Sequence, residues 1–101
     1  MVVIVFRSRL RPENAEEFGE LAARMPTLAR EMPGFLSYDT YLSEGGERAS
    51  VIAFESAEHL RAWREHPEHA EAMRIGRERY YREYHLLVAD PQRESHFRYE
   101  A

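Results

Sequence analysis

The stretch that decides the fold is Val2–Leu10, with the sequence VVIVFRSRL. β-branched and apolar residues dominate it, so it predicts a β-strand. Residues 2–6 are all apolar, so both faces of the strand are apolar there. In a sheet with helices on one side and water on the other, apolar and polar residues alternate along each strand instead. Both sheet faces are therefore expected to be covered, and because a short chain has helices for only one, a second copy is the simplest cover for the other.

The segment after this strand has the pattern of a helix. Arg11-Pro12-Glu13 is expected to open it, with proline near the first position and acidic residues in the first turn. Pro26 is expected to kink it or to begin a second segment, and Met32-Pro33-Gly34 ends it. Apolar residues recur at helical spacing and form one face of this helix. They are Phe18, Leu21, Ala22, Met25, Leu28, Ala29 and Met32.

The rest of the chain completes a recurrent order of elements. Strands over 35–42 and 48–55 flank the Gly-rich turn 43–47, and Ser56 is a good N-cap for a short helix through Trp63. His66-Pro67 restarts a helix to about Arg82, and residues 84–89 form a last strand. The order β, α, β, β, broken α, β predicts an α+β, ferredoxin-like βαββαβ fold, with a four-stranded antiparallel sheet and helices on one face.

Length and composition limit the class of protein. The 101 residues fit one domain, expected over 1–91, while 92–101 is either a fifth strand or arm that reaches a partner subunit, or a frayed tail. A net charge of −4 argues against nucleic acid as a partner. The absence of cysteine excludes disulfides and thiolate chemistry. The N-terminus predicts neither a signal peptide nor a membrane span, so a cytoplasmic location is the default expectation.

Several short motifs occur along the chain in a characteristic order. They are Arg11-Pro12-Glu13 after the first strand, the Met32-Pro33-Gly34-Phe35 corner, the strand Val51–Ser56, Ala62-Trp63 with His66-Pro67-Glu68-His69, and Gly76 with Tyr80-Tyr81. With these motifs, nearly the whole chain resembles the antibiotic biosynthesis monooxygenase family of the dimeric α+β barrel superfamily. The resemblance implies a homodimer joined through one sheet face, with a ligand cavity in each monomer between the other face and the helices.

Members of that family differ in activity. Some oxidise aromatic polyketides or quinols with O₂ and no cofactor, others degrade heme, and many have no known substrate. The leading hypothesis is a cofactor-independent monooxygenase that acts on an aromatic, quinol-like or polyketide-like small molecule. The alternative is a non-catalytic module that binds a small apolar ligand or only dimerises.

Cofactor-free oxygenation needs an apolar pocket, a base, and a hydrogen-bond donor that holds the substrate anion. Neutral imidazole can take a proton from a phenol or dihydroquinone near pH 7, so the expected base is His66 or His69. Ser8 is the expected donor, with Arg7, Tyr38 or Tyr80 as alternatives. Trp63 matches the tryptophan of the family's cavity wall, and core packing is a compatible interpretation, since a cavity wall is also part of the core. The expected substrate-binding residues are Trp63, Phe6, Phe35, Phe54, Met25, Met73 and Tyr38.

Two cofactor alternatives are weaker. Heme-degrading members carry an asparagine at the end of the first strand and an axial histidine ten residues after the tryptophan, where this chain has Arg7 or Ser8 and Met73. His66 and His69 have a spacing that can bind a metal ion, with His59 as a third member, but no carboxylate motif accompanies them. We therefore expect neither heme nor a metal.

Overall fold

The architecture is seen in a computed structural model, which describes residues 1–100. Its elements, in chain order, are β1 (Val2–Leu10), a 3₁₀ turn (Pro12–Asn14), α1 (Phe18–Arg30), β2 (Phe35–Leu42), β3 (Arg48–Phe54), α2 (Ala57–Glu65), α3 (Pro67–Ile75), a π-helical turn (Gly76–Tyr80) and β4 (Tyr81–Ala89). The four strands form one sheet in the order β2-β3-β1-β4, and every neighbouring pair is antiparallel. The predicted ferredoxin-like α+β fold is confirmed.

The central strand β1 separates two different surfaces. Ile4 is 2% exposed and belongs to the core, which also contains Val2, Ile52, Phe54, Leu28, Ala29, Leu60 and Trp63. Adjacent residues of a strand point to opposite faces, so Val5 lies on the other side of the sheet. There it stands in register with Val51 and with Leu87, which is 49% exposed. The helices cover the face with Ile4, the inner face. The outer face is apolar around Val5, and no element within residues 1–100 covers it there.

Helix α1 differs from the prediction at its start. The segment 11–13 was expected to open a helix, but it forms only a 3₁₀ turn, and α1 begins at Phe18. The Arg11 guanidinium donates hydrogen bonds to the carbonyls of Arg77 and Glu78, at 2.7 and 2.6 Å, and its backbone N–H donates to Tyr80 at 2.8 Å. These bonds tie the segment to the end of the π-helical turn. Pro26 does not divide the helix, which continues through it.

The end of the last helix also differs. It was expected to reach Arg82, with the last strand starting at Tyr84, but the π-helical turn ends at Tyr80 and β4 starts at Tyr81. A Cβ on Gly76 would lie 2.4 Å from the Tyr81 ring, so this ring packs directly on the glycine backbone. The close contact and the capping by Arg11 together turn the chain earlier than the helical pattern predicted.

The expected caps and hairpin are confirmed. Ser56 Oγ accepts from the backbone N–H of His59 and caps α2. His66 Nδ1 accepts from the N–H of Glu68 at 3.1 Å, with Pro67 as the first residue of α3. In the turn between β2 and β3, Gly46 has a φ of +87°, a value that favours glycine.

Residues 92–100 contain no helix or strand, and all of them are exposed, including Phe97 at 86% and Tyr99 at 78%. A fifth strand is therefore not formed within a single described chain. Among the helices of residues 1–100, none has the length and apolar character needed to cross a membrane.

We expect Gly76→Ala to destabilise the protein because its methyl group would overlap the Tyr81 ring. Overpacking of this kind costs about 1–3 kcal/mol, which urea unfolding measures. Gly19→Ala in α1 is the matched control, because a Cβ there meets no atom within 4 Å. It should leave the free energy of unfolding unchanged or raise it slightly. Equal effects of the two substitutions would contradict the proposed packing.

Candidate functional site

A cavity lies between the inner face of the sheet and the helices. Its sheet side consists of Ile4, Phe6, Ser8, Tyr38, Thr40, Arg48, Ser50, Ile52, Tyr81 and Leu86. Its helix side consists of Phe18, Leu21, Ala22, Met25, Trp63, Arg64, His69, Ala72 and Met73. The cavity is partly open to solvent and has an interior volume of about 70 Å³. A ligand of two or three rings therefore requires adjustable walls, which the flexible side chains of Met25 and Met73 can supply.

Seven predicted site residues line this cavity: Ser8, Trp63, Phe6, Met25, Met73, Tyr38 and His69. Three others lie outside its lining. Phe54 is fully buried behind Trp63, with ring centroids 5.6 Å apart, and Phe35 packs on Phe54 at 5.9 Å. Both phenylalanines support the wall from the core. His66 uses Nδ1 to cap α3, so this nitrogen is occupied by a structural hydrogen bond.

Two alternative donors also lie elsewhere. Arg7 is on the outer face and forms an ion pair with Glu47 at 3.1 Å. Tyr80 is not among the cavity-lining residues, whereas its neighbour Tyr81 is. The alternation of side chains along a strand explains why Arg7 lies on the outer face, since only even-numbered residues of β1 face the helices.

Trp63 and His69 form an aromatic pair at the helix side of the cavity. Their ring centroids are 4.3 Å apart. Trp63 is 3% exposed, and its indole Nε1 is buried without a hydrogen-bond partner in the structure. A buried N–H without a partner costs about 1–3 kcal/mol. A hydrogen bond from Nε1 to any acceptor that reached it would remove this cost.

The protonation state of His69 follows from its surroundings. Burial lowers its pKa below the ordinary histidine value, so the imidazole is neutral at pH 7. Nδ1 lies 3.3 Å from the carbonyl oxygen of Arg64. A carbonyl only accepts, so this contact assigns the proton to Nδ1 and leaves a lone pair on Nε2. The tautomer is therefore the one in which Nε2 can accept a proton.

Hydroxyl groups cluster on the sheet side. Ser8 is 3% exposed, and Thr40 Oγ1 lies 2.8 Å from Ser50 Oγ. Burial raises the pKa of Tyr38, and it raises the pKa of Tyr81 to about 12. Both phenols therefore stay protonated at neutral pH and can donate hydrogen bonds.

The sequence reasoning missed five polar residues of this cavity: Thr40, Arg48, Ser50, Arg64 and Tyr81. For three of them, the alternation of side chains along a strand was a signal in the sequence. In β2, Thr40 has the same parity as Tyr38, and in β3, Arg48 and Ser50 have the same parity as the buried Ile52. Residues two apart in a strand share a face, so the alternation alone placed them toward the helices. Tyr81 gave no such signal, because it was assigned to the helix.

The suggested histidine metal site does not form. His59 Nδ1 lies 2.7 Å from Ser56 Oγ, while His66 caps α3. Within residues 1–100, no group of three or more His, Asp or Glu side chains is arranged to hold a metal ion.

Comparison with known proteins identifies the family. Residues 1–75 match the family model described as antibiotic biosynthesis monooxygenase. YqjZ of Bacillus subtilis, an uncharacterised protein, is 34% identical over 93 residues, which are 92% of this chain and 82% of YqjZ.

Solved structures agree with the fold. Rv0793 from Mycobacterium tuberculosis has a TM-score of 0.84 at 27% identity, over 94% of this chain and 98% of that one. A mutant of SnoaB, a cofactor-independent oxygenase from Streptomyces nogalater, has a TM-score of 0.79 at 14% identity, over 92% and 94%. The match to the family model covers most of the chain and shows that this protein belongs to the antibiotic biosynthesis monooxygenase family.

Proposed function

We propose that this protein is a cofactor-independent monooxygenase that acts on an aromatic, quinol-like or polyketide-like small molecule bound in the cavity. The observation that supports this proposal best is the pair of Trp63 and His69. It combines a neutral imidazole with a free lone pair and a buried indole N–H without a partner. Family membership supports the reaction class, and SnoaB shows that this fold is compatible with oxygenation without a cofactor.

The proposed reaction can be written for an anthrone. His69 takes a proton from the carbon between the two rings, and the resulting anion passes one electron to O₂. The substrate radical and superoxide combine to a peroxide, which loses water to give the quinone. One oxygen atom thus enters the product and the other leaves as water, with the substrate supplying all electrons. Trp63 Nε1 is buried in the ligand-free structure, so the indole ring turns on binding, and Nε1 then donates to the anionic oxygen and stabilises the charge that develops there.

Oxygen uptake tests the function. We expect the protein, freed of metals with a chelator, to consume one O₂ per molecule of dithranol, a dihydroxyanthrone, faster than buffer does. A panel of naphthohydroquinones extends the test to quinols. If no member is consumed above the uncatalysed rate, the result counts against the oxygenase and favours a non-catalytic module that binds a ligand or only dimerises. A saturable shift of the Soret band during titration with hemin would instead favour the heme-binding alternative.

His69→Gln tests the base. A positioned general base contributes about 10²- to 10⁴-fold, so kcat/KM should fall by that factor. Since burial lowers the His69 pKa, the native activity should fall as pH decreases through a midpoint below the ordinary histidine value of about 6.5. This acid limb should be absent in the variant.

His96→Gln is the matched control because His96 is exposed and lies in the segment after β4. It should leave both the rate and the pH profile unchanged. A native acid limb that persists in His69→Gln would exclude His69 as the titrating base.

We also propose that the protein is a homodimer in which the outer sheet face packs against a second copy. The row formed by Leu87, Val5 and Val51 crosses three neighbouring strands. Leu87 is exposed and the two valines are partly exposed, and contiguous apolar surface of this kind marks an interaction site. Covering it would add buried area that a small domain otherwise lacks.

Val5→Asp and Ile4→Asp separate this interface from the core. The first places a charge on the outer face and should give a folded monomer. The second buries a charge beside Ile52 and should unfold the chain. Light scattering and circular dichroism measure the two effects. A native mass at the single-chain value of 11.9 kDa at micromolar concentration would contradict the dimer.

A further inference from the structure

Arg48 lines the same cavity and has no function in the reaction proposed above. It lies on β3, in register with Ser8 of β1 and Leu42 of β2. Its side chain is half-buried, and within residues 1–100 it forms neither an ion pair nor a side-chain hydrogen bond. The carboxylate partners that several other arginines have are therefore lacking at this position.

Contact with Phe18 holds the guanidinium in place. The Arg48 Cζ lies 5.1 Å from the centroid of the Phe18 ring. Such a cation–π contact uses the flat face of the guanidinium and leaves the N–H groups at its edge free. The Arg48 charge also opposes the rise in pKa that burial causes in Tyr38 and Tyr81, so it acts on both phenols. Arg48 thus adds a positive charge to the hydroxyl cluster.

The sheet side of the cavity changes from apolar to polar along the strands. Ile52, which pairs with Tyr38, lies near Trp63, since the Tyr38 and Trp63 rings are 6.1 Å apart. Ser50 and then Arg48 follow along β3 on the same face. Four residues of an extended strand span about 13 Å. Trp63 and His69 therefore lie near one end of the cavity, beside Arg64, whose side chain is exposed, and the half-buried Arg48 lies near the other end.

We propose that the natural ligand is an aromatic carboxylic acid whose carboxylate pairs with Arg48, while its hydroxylated ring lies against Trp63 and His69. The planar guanidinium matches a carboxylate in a two-point contact. A phenol does not supply this anion, because it is neutral at pH 7 and its deprotonation is assigned to the opposite end of the cavity. The inference deepens the proposed function, since it rests on the orientation that the oxygenase reaction requires.

Calorimetric titration with two matched bicyclic compounds tests this proposal. The probe 6-hydroxy-2-naphthoate carries a hydroxyl at one end and a carboxylate at the other, and 6-hydroxy-2-naphthamide is its neutral counterpart. We expect the native protein to bind the acid roughly tenfold to a hundredfold more tightly than the amide, as charge-assisted hydrogen bonds predict. Arg48→Met should remove this preference and leave the affinity for the amide nearly unchanged. Arg48→Lys should keep part of the preference for the acid, since lysine keeps the positive charge but lacks the planar guanidinium that makes the two-point contact.

Arg30→Met is the control, because Arg30 is exposed at the end of α1 and is not a cavity residue. It should keep the full preference, and circular dichroism should show that every variant is folded. Equal binding of acid and amide, a preference that survives Arg48→Met, or binding of neither compound would overturn the proposal.

The outcomes also separate this proposal from the function itself. Consumption of dithranol without any preference for the acid would overturn the ligand assignment and leave the oxygenase standing. A preference for the acid that depends on Arg48, without oxygen uptake on any substrate, would support the ligand assignment and overturn the oxygenase function.

Discussion

The alternation of side chains along β1 is the constraint on which the rest of the structure depends. β1 pairs with β3 on one side and β4 on the other, so it fixes the register of both. Its even-numbered residues, from Val2 through Ile4 to Ser8, face the helices, and Val5 faces the opposite side. A shift by one residue would exchange the two sets. The strand therefore determines which side chains form the cavity and which form the exposed apolar face.

The helix side of the cavity depends on local contacts that were readable in the sequence. Ser56 and His66 cap two short helices, and the break between them brings His69 onto the ring of Trp63. Capping residues and a proline at the first helical position are strong local signals because they satisfy particular backbone groups. The fold, the caps and the Trp63 wall could therefore be predicted.

The errors came from contacts between residues distant in sequence. Arg11 binds carbonyls more than sixty positions away, which no local pattern could show, and this contact replaced the expected helix start with a 3₁₀ turn. Tyr81 packs on Gly76 and ends the helix early. His66 could not be separated from His69 by composition, because only the three-dimensional structure shows which imidazole lies at the cavity. Arg48 was missed although its parity in β3 indicated the inner face.

Trp63 and the neutral imidazole of His69 lie near one end of the cavity, and the hydroxyl groups and the half-buried Arg48 lie near the other. The pair of Trp63 and His69, together with family membership, supports the proposed oxygenation without a cofactor. The most direct test is mass spectrometry of the product formed from dithranol by metal-free protein under ¹⁸O₂. We expect one ¹⁸O atom in each quinone and the other in water. A product without label, or with hydrogen peroxide released in its place, would contradict it.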